Sequence, residues 1–217
     1  MKPLTKLEDA CAAVHVAALA LTRFDHTCVR NDLPANGIYL FFEKGETAAL
    51  DGTRIQRIVR VGTHRRDERF RGRIRQHYGQ VNSLRGNKNS SVFRSHVGGA
   101  LLNQSDPADP RIPEWQRHGG TSFLEIEELV SKTLRECFTF VCLSVPTQDE
   151  RLTLERGLIA LIAQHPLAAP SPSWLGRFAT SPNIRRTGLW NVQHCDSLSL
   201  TTDELEAFKA RAAEGVA

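Results

Sequence analysis

Two runs in the first third of the chain constrain its fold most. Residues 37–43 (GIYLFFE) and 54–61 (RIQRIVRV) are rich in β-branched and aromatic side chains, and turn chemistry at Lys44-Gly45 and Asp51-Gly52 lies between them. Runs of this composition bounded by glycine turns are strands, and a connection this short joins antiparallel neighbours. In the first run Ile38, Leu40 and Phe42 share one face of the pleat, while Tyr39 shares the other with Gly37 and Phe41. A third strand is expected over 138–145 (FTFVCLSV), ended by Pro146.

Helices fill most of the remainder. Residues 5–21 hold Ala, Leu, Val and Glu without Gly or Pro and read as an N-terminal packing helix, broken by 31–37 (NDLPANG). A helix over 67–78 places Asp67 and Glu68 in its first turn, where the macrodipole favours acids. Ser90 or Ser91 caps another that runs to about residue 102, and Ser122 with Glu125 forms a capping box for one reaching about 136. Helices over 150–164 and from about 202 follow, with a Pro/Asp/Gly loop over 104–120, a linker over 165–173 and an irregular stretch over 180–194. The expected class is α+β: a small three-stranded antiparallel sheet flanked by helices, with N- and C-terminal helical extensions over 1–35 and 166–217 on a central domain over 36–165. A chain of 217 residues with 41% apolar content buries a core of that size and rules out a disordered or collagen-like protein.

Charge is distributed unevenly. The formal net charge is only +4, yet between Arg54 and His96 there are eleven arginines and one lysine against Asp67 and Glu68. That window carries about +10 and the rest of the chain about −6, the asymmetry of a polyanion-binding face. Planar guanidinium groups grip phosphates bidentately, so the bias toward arginine points to phosphate. A solvated basic surface is the plainer reading, and no strong basic amphipathic helix supports a membrane surface. Five cysteines without a CxxC pair indicate neither a disulfide framework nor a zinc ribbon and fit a reducing compartment. The apolar run 10–21 contains His15 and is too short to span a bilayer, and Glu8 and Asp9 are wrong for a signal peptide; a cytoplasmic protein is expected.

Two helices carry polar groups in awkward places. On a wheel at about 100° per residue, Phe70, Ile74 and Tyr78 form the buried stripe of the 67–78 helix, and Arg73 and His77 lie together on its edge, able to point into one cleft. Structural roles are the simpler account of such a pair taken alone. In the 150–164 helix, Glu155 falls inside the arc of Leu152, Leu158, Ile159 and Ile162. A carboxylate there needs a cation, either an arginine or a metal ion. Mg²⁺ suits one glutamate when water and phosphate supply the other ligands.

With these residues in order, the chain resembles the GIY-YIG nucleases. Gly37-Ile38-Tyr39 carries the first motif; Arg60-Val61-Gly62 stands where Tyr-Ile-Gly is usual; Arg73 and His77 have the Arg-x-x-x-His spacing of the family's first helix; and Glu155 follows where its metal-binding glutamate sits. The resemblance spans about 36–165 and implies hydrolysis of a nucleic-acid phosphodiester, with DNA the expected substrate, RNA a second candidate, and Mg²⁺ as cofactor with Mn²⁺ able to substitute. It implies that Tyr39 activates water as a phenolate or relay, that Arg73 and His77 act at the phosphate, and that Glu155 holds the metal. The second tyrosine's role falls to Arg60, to His64 or to neither. Arg57, Arg65, Arg66, Arg69, Lys88 and Arg94 from the basic window, Asn89 within it, and Arg185 and Arg186 in the C-terminal stretch are the candidate nucleic-acid contacts. Loss of the second tyrosine leaves a rival reading, an inactive nucleic-acid-binding protein that keeps the fold. His26 with Cys28 and His194 with Cys195 are incomplete ligand sets and read as structural or surface groups, and Trp115, Trp174 and Trp190 read first as core. Recognition sequence and oligomeric state leave no signature in the chain.

Overall fold

A computed structural model of the protein describes residues 6–28 and 33–215; Thr5 and residues 31–32 of the expected helix start and turn lie outside them. The expected α+β architecture is borne out as a three-stranded antiparallel sheet in the order β2-β1-β3, formed by β1 (Gly37–Leu50), β2 (Thr53–Thr63) and β3 (Phe138–Ser144). β1 pairs with β3 only over 37–43 and with β2 along most of its length, so beyond Glu43 the hairpin continues as a two-stranded ribbon. The apolar run visible in the sequence is therefore the part of β1 with a neighbour on each side. The outer edge of β3 is closed by Phe24, which exchanges two backbone hydrogen bonds of 2.8 Å with Phe140.

The pleat sorts β1 as its alternation requires. Ile38, Leu40 and Phe42 pack with Ile58, Val61, Val141 and Leu143 under α1 (Lys6–Ala20), α6 (Gln148–Gln164) and α8 (Thr202–Glu214). Tyr39 and Phe41 pack on the other face with Phe138 and Phe140, under α2 (Phe70–Tyr78), α3 (Val92–Ser105) and α5 (Leu124–Cys137). Each large apolar side chain buried in these layers contributes about 1.5–3 kcal/mol. All three tryptophans are buried, as expected of core residues.

Several boundaries differ for identifiable reasons. α2 begins at Phe70 because Asp67 is drawn into an ion pair with the buried Arg151 (2.6 Å) and Glu68 adopts a left-handed φ of 59°. The expected capping box of α5 is absent: Ser122 donates to Glu127 and Glu125 pairs with Arg111. The loop expected over 104–120 contains α4 (Arg111–Gln116), opened by Asp109 accepting the Arg111 backbone N–H, with Pro113 tolerated in its first turn. Inside 180–194 lies α7 (Pro182–Thr187), led by its proline and ended by Gly188 in the left-handed conformation. Among the described residues no helix is long and apolar enough to cross a membrane.

Candidate active site

Beside the β2 edge, between α2 and α6, a cleft of about 690 Å³ opens. Arg60, Thr63, His64, Arg65, Arg66, Arg69, Arg73 and Glu155 line it together with 191–194, and Glu155 is the only carboxylate in its lining. Residues from four separated parts of the chain meet there, because β2 ends at Thr63 where α2 and α6 pass on opposite faces of the sheet.

Glu155 projects from α6 to the end of β2, where its Oε1 accepts the backbone N–H of Thr63 at 3.1 Å. Its Oε2 has no protein partner among the described residues, and no ion pair forms, although Arg60, Arg73 and His194 all lie close enough to bias its charge. Burial nonetheless dominates and holds its carboxyl above the ordinary range. The arginine bridge that would explain a structural glutamate is absent.

Under the cleft runs a buried chain of three hydroxyl and imidazole groups. Tyr39 Oη lies 2.8 Å from His77 Nε2, and His77 Nδ1 lies 2.8 Å from Ser91 Oγ. Gly62, paired with Tyr39 across the sheet, makes room for this ring: a Cβ there would sit 2.2 Å from Tyr39 Oη. The glycine of the second motif is thus a steric requirement of the first motif's tyrosine. His77 is fully buried, and burial, reinforced by Arg73, Arg60 and Arg94, pushes its pKa well below the usual value. The imidazole is neutral, so one nitrogen donates and the other accepts.

Ser91 Oγ also caps α3 by accepting the Arg94 backbone N–H at 3.3 Å. Tyr39 and Ser91 are both 1% exposed, and His77 lies between their hydroxyls, so the imidazole donates to one and accepts from the other. Tyr39 and His77 lie beneath the cleft wall rather than in it.

Arg60 occupies the place of the second tyrosine and faces the same side of the sheet as Phe41, its partner in β1. Its guanidinium lies 4.8 Å from the centre of the Phe93 ring, Nη1 donates to Trp190 O, and Nε is buried without a partner among the described residues. Burial lowers its pKa, opposed first by Tyr39. His64 also reaches the cleft, but its Nε2 accepts the Gly37 N–H (3.2 Å) and its Nδ1–H donates to Arg66 O (2.7 Å), so both nitrogens serve the backbone. Arg73 is half-buried and donates to Ser90 O at 2.8 Å, which aims it along the wall.

The basic window divides on folding. Arg65, Arg66 and Arg69 are exposed and make no side-chain bond among the described residues, as a polyanion contact requires. Three others expected at the surface are interior. Arg57 pairs with Glu46 (2.5 Å) and donates to Gly188 O. Lys88 is buried, with Nζ on Arg117 O and Asn89. Arg94 is buried against Glu127 (2.6 Å) and also holds His77 O and Ser131. Asn89 staples the turn at Gly119 and Gly120. Arg185 binds Ala179 O and Thr180 O, Arg186 pairs with Asp196, and neither lines the cleft.

Sequence reasoning missed Ser91 as a site residue and also missed Thr63, Asn191 and His194. Asn191 exchanges two side-chain hydrogen bonds with the backbone of Val61, 3.0 and 2.9 Å, and so extends the β2 edge and carries His194 to Glu155. No local pattern announces a pairing across 130 residues.

A family model described as GIY-YIG domain matches residues 6–215 of the chain. No curated protein and no solved structure matches it.

Proposed function

The chain belongs to the GIY-YIG domain family, whose members are generally divalent-metal-dependent phosphodiester hydrolases, and on that premise we propose that it is an endonuclease that cleaves DNA with Mg²⁺. The observation that carries this reading is Glu155: a carboxylate with one oxygen unpartnered, alone among cations, and neutralised by none of them.

Glu155 suits a hard divalent ion, but among the described residues no cluster of three His, Cys, Asp or Glu accompanies it. Water and substrate phosphate would complete the shell, as Mg²⁺ permits. The bound ion would supply Lewis-acid stabilisation of the phosphate and of the departing 3′ oxygen.

The remaining steps belong to the chain itself. Arg73, aimed into the cleft by Ser90 O, offers its free donors to the non-bridging phosphate oxygens. Tyr39, as phenolate, takes the proton of the attacking water while the water oxygen bonds to phosphorus and the bond to the 3′ oxygen breaks. His77 Nε2–H and the Arg60 guanidinium stabilise that phenolate, one as a neutral donor and one as a cation. Opening the approach to Tyr39 takes a shift of Arg60 toward the phosphate, and its unpartnered Nε favours the move.

The test is cleavage of labelled duplex, single-stranded and branched DNA, and of RNA, with Mg²⁺ or Mn²⁺, by the protein and by Glu155→Gln. The variant keeps an acceptor for Thr63 N–H and loses the charge. It should melt no lower than the parent while cleavage falls by at least about 100-fold. Equal cleavage by both would overturn the assignment of Glu155. Arg60 in place of the second tyrosine favours a second reading, a binding protein without turnover; metal-dependent multiple turnover would exclude it.

A further inference from the structure

α2 is short, and its exposed side contains a glycine that the fold does not need. Phe70, Ile74, His77 and Tyr78 are buried, whereas Gly72 is partly exposed in mid-helix, and a Cβ added there would meet nothing within 4 Å. No turn, positive φ or close packing requires glycine, yet glycine costs about 1 kcal/mol relative to alanine in a helix. Gly62 is explained by Tyr39; Gly72 has no such explanation among the described residues.

Its surroundings supply one. Arg69, Gly72 and Gln76 follow the spacing i, i+3, i+7 and form one ridge along α2. The Glu155 cleft lies on the Arg73 side of that ridge, and on the Arg75 side lies a groove of about 570 Å³ lined by Gln80, Gly86, Asn87 and Ser90. The three ridge residues line both concavities, so the two meet across Gly72. Arg69 and Arg75 make no side-chain hydrogen bond or ion pair among the described residues, and the far groove has no acid in its lining.

We infer that a nucleic-acid strand held at Glu155 crosses α2 at Gly72, with its sugar-phosphate backbone against the bare helix backbone, and continues into the groove beside Arg75. The inference rests on the nuclease reading of the cleft. The missing side chain is a notch in the ridge. It lets a phosphate come down between Arg69, Arg73 and Arg75, whose donors can then reach it from three sides.

Stability and binding should therefore move in opposite directions. Gly72→Ala, Gly72→Gln and Arg75→Gln would be made in the full chain, with melting followed by circular dichroism. Affinity for fluorescein-labelled single-stranded and duplex DNA would be read by anisotropy in EDTA across a salt series. Both Gly72 variants should melt at or above the parent temperature, while Gly72→Gln binds about five- to tenfold more weakly. Arg75→Gln should weaken binding and reduce the salt slope by about 0.7–0.9. A Gly72→Gln protein that melts higher and binds DNA like the parent overturns the crossing. So does an equal loss of binding to polyglutamate, which would make the notch a site for any polyanion. Because binding is read without metal, absent cleavage would refute the nuclease reading and leave this result interpretable.

Discussion

Ser91 shows how much a single hydroxyl can decide. It caps α3 by accepting the Arg94 N–H, and in the proposed mechanism, where Tyr39 is a phenolate, it also donates to His77 Nδ1 and so sets the proton of that imidazole on Nε2, facing Tyr39. The two duties separate by mutation, because glycine caps a helix nearly as well as serine, at a cost of a few tenths of a kcal/mol, but has no hydroxyl to donate. In Ser91→Gly, ¹⁵N NMR of the histidines should show His77 passing from a single Nε2–H form to a mixture of tautomers. Cleavage should fall by about 10–100-fold with little change in melting, and Ser91→Thr, which keeps the hydroxyl, should restore it. A parent spectrum with the proton on Nδ1 would reverse the assigned direction of the chain. Arg73, His77 and Glu155 could be picked out of the sequence because each breaks a local pattern, two polar groups at a helix edge and an acid in an apolar arc, whereas Tyr39 fits the alternation of its strand and stands out only through the resemblance carried by Gly37-Ile38-Tyr39. Ser91 breaks none, since a serine before a helix is explained by capping alone.

At the scale of elements, legibility followed the number of sides on which a segment is buried. The 37–43 part of β1, paired on both edges and packed on both faces, is plain in the sequence, whereas its ribbon extension to Leu50 is not. The capping residues of α5 satisfy the motif, yet Glu127, buried with Arg94, captures Ser122 first, because a buried charge outcompetes an exposed backbone donor. The C-terminal segment was least legible, being held by contacts with distant residues. One is Glu43, whose Oε2 accepts the indole N–H of Trp174 and of Trp190, both at 2.9 Å. Burial raises its carboxyl to about 7; Glu46 pushes the same way, while the two indoles and Arg57 oppose it. Since the folded value lies above the ordinary 4.5, the stability it contributes is complete below about 4.5 and is lost as pH rises through about 7. Urea unfolding should show the parent losing stability between about pH 5 and 8 relative to Glu43→Gln, which keeps an acceptor for the indoles and cannot ionise. Parallel pH profiles for the two proteins would show that Glu43 is already ionised throughout.

For the whole molecule, the consequence of folding is that charge counted along the chain is not charge offered to a ligand. Of the twelve cations between Arg54 and His96, Arg57, Arg60, Lys88 and Arg94 are buried, and Arg54 is bound to Thr47 on the hairpin. Arg71 donates to Leu33 O and lines neither concavity, nor does Arg85, so Arg65, Arg66, Arg69, Arg73 and Arg75 remain around the cleft and the groove beyond α2. Arg57, Lys88 and Arg94 hold Glu46, Arg117 O and Glu127, so they fix the geometry of the site rather than its field, whereas Arg60, held on Trp190 O, lines the cleft itself. Counterion release makes this division measurable, because each phosphate neutralised contributes about 0.9 to the slope of log K against log salt on duplex DNA and about 0.7 on a single strand. Five contacts give a slope of about −4.5 or −3.5 for the two forms, against about −11 on duplex if all twelve cations engaged. Binding titrations in EDTA from about 50 to 200 mM salt distinguish these values. A slope near −11 would require Arg57, Lys88 and Arg94 to leave their partners on binding, well beyond the shift of Arg60. Arg94 holds the His77 carbonyl, so its release would unmake the support of His77 at the moment substrate arrives.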